Sequence, residues 1–323
     1  MGKYTFDMGD QIMSKTACLF SGQGSQYVGM MSDLVRDFDH AAIRMKQACQ
    51  IAGFPLDAIC FEGPADILKE TRYTQPALFV HEAILWDLVK DKLDYDAFAG
   101  HSLGEYSALY ASGVVSFEDA MRLVLLRGSL MFSAGNEKPG TMFAVIGMSD
   151  EQVISLCKEL STDGIIVPAN FNSPGQIVLS GDAEYVRSKA PLFKEAGARM
   201  VTELQVSGAF HSPLMVSAAE ELGKAIDAVT FNKPLMPVFP NVTATAVTDP
   251  LELKRLLLEQ LTAPVLWAQS MVSMHDSGIK TFCEIGPGKV LQGLVKRTIN
   301  DPELTIRGID TSNDVHTLFG QGA

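Results

Sequence analysis

A serine between two glycines is the first residue in this chain that could do chemistry. The stretch GHSLGEYSAL begins at Gly100 and places Ser102 two residues from a glycine on each side. A short apolar run, DAFAG, precedes the serine and a helical pattern follows it, which is typical of a serine nucleophile on a sharp turn. The free N–H groups at the start of such a helix would stabilise an oxyanion. Because many unrelated proteins share the pentapeptide, the alternative is that Ser102 only caps the helix.

A serine nucleophile needs a base, and the sequence offers six histidines. His211, in VSGAFHSPLM, lies between a predicted strand and a predicted helix where two units of the chain meet. Such junctions often hold active sites, so we choose His211 as the candidate base. The alternative is a histidine with no role beyond beginning a helix. His81 lies among apolar residues, and we expect it to be packed in the core.

Arg127 lies on an apolar helix face without a local acidic partner. The pattern over Phe117–Met131 is helical, and the residues three and four positions from Arg127 are all apolar: Leu123, Val124, Leu130 and Met131. Arg122 instead has Glu118 and Asp119 at those spacings, which predicts a surface ion pair. An unpaired buried charge is costly, so something must compensate Arg127. The residues alone leave two accounts open: a distant acid or backbone carbonyls, or a substrate carboxylate bound through two hydrogen bonds.

The glycine-rich stretch SGQGSQYVG, from Ser21 to Gly29, does not fit a nucleotide site. Its glycines miss the G-x-G-x-x-G spacing, and the chain has no Walker lysine. We therefore expect no nucleotide cofactor and no other cofactor. A glycine turn across the sheet from Ser102 could instead supply a second backbone N–H to an oxyanion.

Composition favours a large α/β protein of the cytoplasm. The 323 residues are 47% hydrophobic, which is enough for a large core. Five scattered cysteines without CxxC spacing indicate reduced thiols, and predict neither disulfides nor a metal site. A net charge of −12 argues against a nucleic-acid partner. No apolar run reaches the length of a membrane span, and the first residues lack the apolar segment of a secretory signal.

The pattern along the chain predicts one α/β unit interrupted by another. TACLF and DAFAG read as buried strands, and Pro76 suits the first turn of a helix. From Gly140 the order becomes β-α-β-β-α-β, that of a ferredoxin-like unit, with Ser149 and Gln152 forming a capping box. The predicted domains are a large α/β domain (15–138 and 207–323), an inserted ferredoxin-like subdomain (139–206), and an extension (1–14) of unknown role.

These segments together resemble the malonyl-CoA:acyl-carrier-protein transacylase family, which includes acyltransferases of fatty-acid and polyketide synthesis. The resemblance runs from about Thr16 to Arg297, and the motifs that carry it occur in one order: GQGSQ, GHSLGE, ANFNSPGQIVLSG, GAFHSPLM, QLTAPV and EIGPGKVL. It implies an α/β-hydrolase-like large domain with a ferredoxin-like insert. One departure is Ser21, where the family usually has proline; we expect it to alter only the rigidity of the turn.

The resemblance also implies roles for individual residues. Ser102 would carry the acyl group, and His211 would be its base and acid in a dyad without a triad aspartate. Gln260 would help to hold the histidine, and the N–H groups of Gln23 and Leu103 would form the oxyanion hole. Two further residues would bind substrate: Arg127 through the free carboxylate of malonate, and Phe210, whose bulk favours malonyl over methylmalonyl.

The implied reaction is ping-pong transfer of malonyl from malonyl-CoA to the phosphopantetheine thiol of an acyl carrier protein. Lys289, Lys296 and Arg297 follow the EIGPG turn and are the candidate carrier-binding cations. We expect a monomer that binds neither nucleic acid nor membrane. The alternatives are an acyl hydrolase that proofreads carrier-bound chains, or an inert docking domain of a synthase. The pathway, fatty acid or polyketide, stays open.

Overall fold

The computed structural model describes residues 15–320, and two four-stranded β-sheets organise this part of the chain. The strands are β1 (Lys15–Phe20), β2 (Ala97–Gly100), β3 (Gly140–Ile146), β4 (Ile166–Ser173), β5 (Gln176–Asp182), β6 (Met200–Glu203), β7 (Ile279–Ile285) and β8 (Thr305–Ile309). One sheet is parallel, in the order β2-β1-β7-β8, and the other is antiparallel, in the order β4-β5-β3-β6.

Helices surround both sheets. They are α1 (Ser32–Asp37), α2 (Asp39–Ala52), α3 (Leu56–Phe61), α4 (Ala65–Leu68), α5 (Thr71–Val89), α6 (Gly104–Ala111), α7 (Phe117–Glu137), α8 (Asp150–Leu160), α9 (Ala183–Glu195), α10 (Val216–Ala228), α11 (Pro250–Glu259), α12 (Trp267–Asp276), α13 (Val290–Thr298) and α14 (Ser312–Leu318). Short 3₁₀ turns span Lys90–Lys92 and Pro213–Met215. Within residues 15–320, no helix combines the length and apolar character needed to cross a membrane.

The parallel sheet is buried on both faces, which explains the continuous apolar run of its first strand. Cys18 and Phe20 of β1 pack into a core with α5, α6 and α7. Ala17 and Leu19 point to the opposite face and pack with α12 and α13. The alternation follows from the two-residue period of a strand.

The antiparallel sheet has a separate core and the element order β3-α8-β4-β5-α9-β6, as the pattern predicted. Its strands lie between residues 140 and 203, and strands of the parallel sheet come before and after it in the chain. Ser149 caps α8 and forms the predicted capping box with Gln152.

The placement of Pro76 in a first helical turn was wrong. Helix α5 begins at Thr71 and contains the proline in its interior. Proline cannot donate the N–H of a helical hydrogen bond, so the local signal favours a helix start. Every residue from 74 to 86 is buried, and this tertiary packing outweighs the local preference.

Candidate active site

Ser102 occupies a strained turn between β2 and α6. Its φ of 53° lies in the left-handed region, which is uncommon for a residue other than glycine. A Cβ on Gly100 would lie 1.8 Å from the carbonyl carbon of Gly104, and a Cβ on Gly104 would lie 2.2 Å from the carbonyl oxygen of Phe20. Both glycines are therefore required for α6 to turn back tightly over the ends of β1 and β2.

His211 lies directly on the serine hydroxyl. Its Nε2 is 2.7 Å from Ser102 Oγ, and its Nδ1 is 3.0 Å from the backbone oxygen of Gln260. Because a carbonyl oxygen only accepts, Nδ1 carries the proton and Nε2 is free to accept the serine proton. Burial, assisted by the positive charge of Arg127, lowers the pKa of His211 to about 3. The imidazole is thus a neutral base at neutral pH, held by a backbone oxygen where a triad would place a carboxylate.

Arg127 reaches the same hydroxyl from α7. Arg127 is 1% exposed, and its Nη2 donates to Ser102 Oγ at 3.0 Å and to Gln260 Oε1 at 3.2 Å. Nη1 donates to Gln75 Oε1 at 2.8 Å, while Nε has no partner in residues 15–320. All of these acceptors are neutral, and burial lowers the pKa of Arg127. A cation held by neutral groups beside a nucleophile is well placed to bind an anion attached to that nucleophile.

Asn241 holds the backbone of the serine turn. Its Oδ1 accepts from the N–H of Ser102 at 2.8 Å, and its Nδ2 donates to the carbonyl oxygen of Gly100 at 2.7 Å. Glu105 Oε2 accepts from the Asn241 N–H at 2.8 Å and from Gln260 Nε2 at 3.1 Å. Gln260 Nε2 also donates to the carbonyl oxygen of Ser102 at 2.8 Å. One buried network therefore fixes both the candidate nucleophile Ser102 and Gln260, whose backbone oxygen contacts the candidate base.

Glu105 lies in this network as a fully buried acid. Burial raises its pKa to about 7, against the opposing effects of the Asn241 N–H, the Gln260 amide and the charge of Arg127. Glu105, the acid whose charge acts on Arg127, is thus partly protonated at neutral pH.

The two predicted oxyanion donors lie beside the serine. Gly100 pairs with Phe20 in the register of β1 and β2, so the loops that carry Gln23 and Leu103 leave the parallel sheet side by side. Neither the N–H of Gln23 nor that of Leu103 donates a hydrogen bond within the described part of the chain. Both are therefore free to receive an oxyanion, the role that the resemblance predicts for them.

A cavity of about 160 Å³ opens at these groups. Gln23, Ser102, Leu103, Arg127 and His211 line it, and Phe210 forms part of its apolar wall together with Met131, Met142 and Val178. A water molecule takes about 30 Å³ of liquid, so the space suits a short acyl group. Every predicted site residue lines this cavity except Gln260. Gln260 lies outside the lining and hydrogen-bonds to Arg127 and Ser102.

Comparison with known proteins places the chain in a family. The acyl transferase domain family matches residues 18–318. The chain belongs to this family. A family member from Haemophilus influenzae, a malonyl CoA-acyl carrier protein transacylase, is 41% identical over 311 residues, which cover 95% of this chain and 100% of that protein. A protein of the same name from Staphylococcus aureus is 42% identical over 304 residues, covering 94% and 98% of the two chains.

Solved acyl transferases share the α/β fold. An acyl carrier protein S-malonyltransferase from Vibrio cholerae superposes with a TM-score of 0.89 at 39% identity, covering 94% of this chain and 100% of that one. A malonyl-transacylase in complex with a holo acyl-carrier protein of a type II polyketide synthase gives 0.90 at 37% identity, covering 96% and 100%.

Sequence reasoning missed three polar residues of this acyl transferase site. Glu105 had a signal, since it directly follows GHSLG and is the one charged residue of the stretch GEYSALYA. Gln75 and Asn241 had none, because their partners Arg127 and Ser102 are distant in sequence.

Proposed function

We propose that this chain transfers a malonyl group from malonyl-CoA to the phosphopantetheine thiol of an acyl carrier protein, with malonyl-Ser102 as the intermediate. The observation that carries the proposal is the buried Arg127, whose Nη2 lies 3.0 Å from Ser102 Oγ inside a small cavity. A malonyl ester on this serine would place its free carboxylate within reach of the guanidinium. The names of the family members from Haemophilus influenzae and Staphylococcus aureus support the same reaction.

The first half-reaction forms the acyl-serine. His211 Nε2 takes the hydroxyl proton while Ser102 Oγ bonds to the thioester carbonyl carbon. The N–H groups of Gln23 and Leu103 stabilise the resulting oxyanion. The carbon–sulfur bond then breaks, and the CoA sulfur takes the proton from His211.

The second half-reaction runs through the same groups in reverse. The carrier thiol gives its proton to His211 as its sulfur bonds to the ester carbon of malonyl-Ser102. The ester carbon–oxygen bond breaks, and Ser102 Oγ recovers the proton from His211. Only Ser102, His211 and the two thiols change protonation, while the two backbone N–H donors keep their protons.

Arg127 and Phe210 select the acyl group in this proposal. An acyl group without a carboxylate would leave the guanidinium with neutral partners alone and displace part of its hydrogen bonding, which is unfavourable in a buried site. Phe210 is buried and lines the cavity, so its ring opposes a substituent on the α-carbon of malonate.

The proposed architecture follows the two sheets. Residues 15–138 and 207–323 would form an α/β-hydrolase-like domain, and 139–206 a ferredoxin-like insert, which the β4-β5-β3-β6 order supports. Residues 1–14 and the last three of the large domain lie outside the described part of the chain. We further propose a monomer of the cytoplasm without a cofactor; the five free cysteines favour that compartment.

Loading with radiolabelled malonyl-CoA tests the function. We expect label that stays on the protein, is absent from Ser102→Ala, and moves to a holo carrier protein added later. Release of free malonate without a carrier would instead show the hydrolase alternative, which the names of the relatives do not favour. Absence of label on the intact protein would reject the proposal. If the protein is labelled, the rates of transfer to carrier proteins from the two pathways distinguish fatty-acid from polyketide synthesis.

A further inference from the structure

Glu82 is a buried acid that the proposed mechanism does not use. It lies on α5 with 0% exposure, and its Oε1 accepts a hydrogen bond from Ser21 Oγ at 2.8 Å. Its Oε2 accepts no hydrogen bond of good geometry in residues 15–320, but the Ser107 hydroxyl of α6 lies near enough to stabilise the carboxylate. An acid in such a place is costly to bury, so the contact that it makes must be one that the fold needs.

Ser21 begins the loop that carries a proposed oxyanion donor. It directly follows β1, and its own side chain is completely buried. A Cβ on the next residue, Gly22, would lie 2.6 Å from the carbonyl oxygen of His101, so the loop packs against the residue before Ser102. Gln23 then lines the catalytic cavity. The segment 21–23 is thus held between Glu82 on one side and the serine turn on the other.

A second loop closes over the same pair. A Cβ on Gly286 would lie 2.9 Å from Glu82 Oε1 and 3.0 Å from Ser21 Oγ. The turn after β7 therefore packs closely against both the acid and the hydroxyl. The Glu82–Ser21 hydrogen bond fixes residues 21–23, the oxyanion loop, from a position that does not touch substrate.

The neutral form of Glu82 suits this role. Burial, with a contribution from the carboxyl of Glu284, raises the pKa of Glu82 to about 8, against the hydroxyls of Ser107 and Ser21. At neutral pH the group is mostly the neutral acid, and its carbonyl oxygen accepts from Ser21 as a glutamine oxygen would.

We propose that Glu82 is a positioning residue for the oxyanion hole: by holding the Ser21 hydroxyl it sets the distance between the Gln23 N–H and the reacting carbon on Ser102. The proposal rests on the proposed function in that Gln23 is taken as an oxyanion donor. Such donors act only within a narrow range of distance, because the oxyanion must lie about 2.7–3.1 Å from each N–H. Loss of the anchor should therefore slow acylation more than it weakens binding.

The test compares Glu82→Leu, Glu82→Gln, Ser21→Ala and the double variant Ser21→Ala/Glu82→Leu with the intact chain. Ser112→Ala is the matched control, since Ser112 is equally buried but donates to the Leu109 carbonyl at the far end of α6. Each protein is acylated with malonyl-CoA and, separately, with methanesulfonyl fluoride, a small reagent whose S=O oxygens accept from the same N–H groups. Rates are counted per competent serine, measured by mass spectrometry at the end point, and unfolding midpoints are recorded.

We expect Glu82→Leu and Ser21→Ala to slow both reactions about tenfold, less than the hundredfold or more that loss of a donor costs, with KM for malonyl-CoA unchanged. The double variant should be no slower than either single one, and Glu82→Gln should restore most of the rate. Rates per competent serine at the level of the intact chain, or a double variant slowed by the product of the single effects, would overturn the proposal.

If Glu82→Leu does not fold, the comparison of acylation rates between Ser21→Ala and Ser112→Ala decides. If the intact chain reacts with the sulfonyl fluoride but not with malonyl-CoA, the proposed function fails, and the sulfonylation rates still decide the role of Glu82.

Discussion

Two side chains contact the hydroxyl of Ser102 at the centre of this site. Ser102 Oγ lies within hydrogen-bond distance of the base His211 and also of the cation Arg127. In the proposed reaction the cation would stabilise the serine oxygen as its proton leaves, and its charge disfavours a second positive charge on the neighbouring imidazole. The same pair of contacts would therefore activate Ser102 and keep His211 neutral.

The pH dependence of acylation should show this effect. Because the pKa of His211 is lowered to about 3, the imidazole stays neutral well below the ordinary histidine value of about 6.5. We expect kcat/KM for self-acylation to stay level from pH 7.5 to 5, measured by rapid quench with malonyl-CoA. An acidic limb with an apparent pKa near 6.5 would contradict the geometry. The neutral imidazole also contributes to stability above about pH 6.5, and this contribution should be lost as the pH falls towards 3.

Arg127→Ala should change which acyl group is loaded. Removing one partner of a buried charge pair costs about 2–5 kcal/mol, so we expect malonyl loading to fall by about a hundredfold and the preference for malonyl-CoA over acetyl-CoA to shrink. Competition between the two labelled thioesters measures the preference. Arg122→Ala is the control on the same helix, because Arg122 forms an exposed ion pair with Glu118 and should load malonyl normally. Unchanged selectivity in Arg127→Ala would remove the carboxylate-binding role.

At the scale of elements, the site depends on how closely α6 approaches the parallel sheet. Gly104 is the point of contact, since its Cα lies against the carbonyl oxygen that ends β1. The first turn of α6 also carries Glu105, so any shift of the helix would move the serine, the Asn241 contact and the Gln260 contact together.

Gly104→Ala should therefore destabilise the protein and inactivate it. The new Cβ would lie 2.2 Å from backbone atoms that cannot move aside, and overpacking of this kind costs about 3 kcal/mol. Gly223→Ala on α10 is the matched control, because among the described residues its Cβ would meet only Leu258 Cδ2 of α11, at 3.4 Å. There alanine should stabilise by about 0.5–1 kcal/mol through helix propensity. Urea unfolding of both variants measures the difference, and equal effects would contradict it.

Local signals in the sequence predicted local structure well. The Ser149–Gln152 capping box forms as predicted, because it depends on residues within one helical turn. The apolar face around Arg127 likewise predicted its burial. Its partner Gln75 could not be predicted, because Gln75 lies on α5 and Pro76 had indicated that this helix begins later than it does. The role of Asn241 could not be predicted either, because the fold alone brings the loop that carries Asn241 next to Gly100 and Ser102.

At the scale of the whole molecule, the negative net charge of the chain affects how a carrier protein can bind to it. The chain carries −12, so an acidic carrier protein would be repelled at long range. A local cationic surface must offset this repulsion. Lys289, Lys296 and Arg297 are all exposed and lie on or beside α13, and Lys289 follows Gly286 of the turn that closes over the oxyanion loop.

Lys296→Glu should accordingly weaken carrier binding without touching the chemistry. Lys296 and Lys289 line one surface cavity of about 690 Å³ together with Asp301, and a glutamate there would leave the cavity mainly acidic. We expect the KM for holo carrier protein to rise about tenfold at low salt, with the difference shrinking as salt screens the charges. Self-acylation by malonyl-CoA should keep its rate, which separates docking from catalysis. Lys46→Glu on α2 makes the same change in net charge at another exposed lysine. Equal KM values for the two variants would show that net charge alone governs the encounter, and that α13 is not the docking surface.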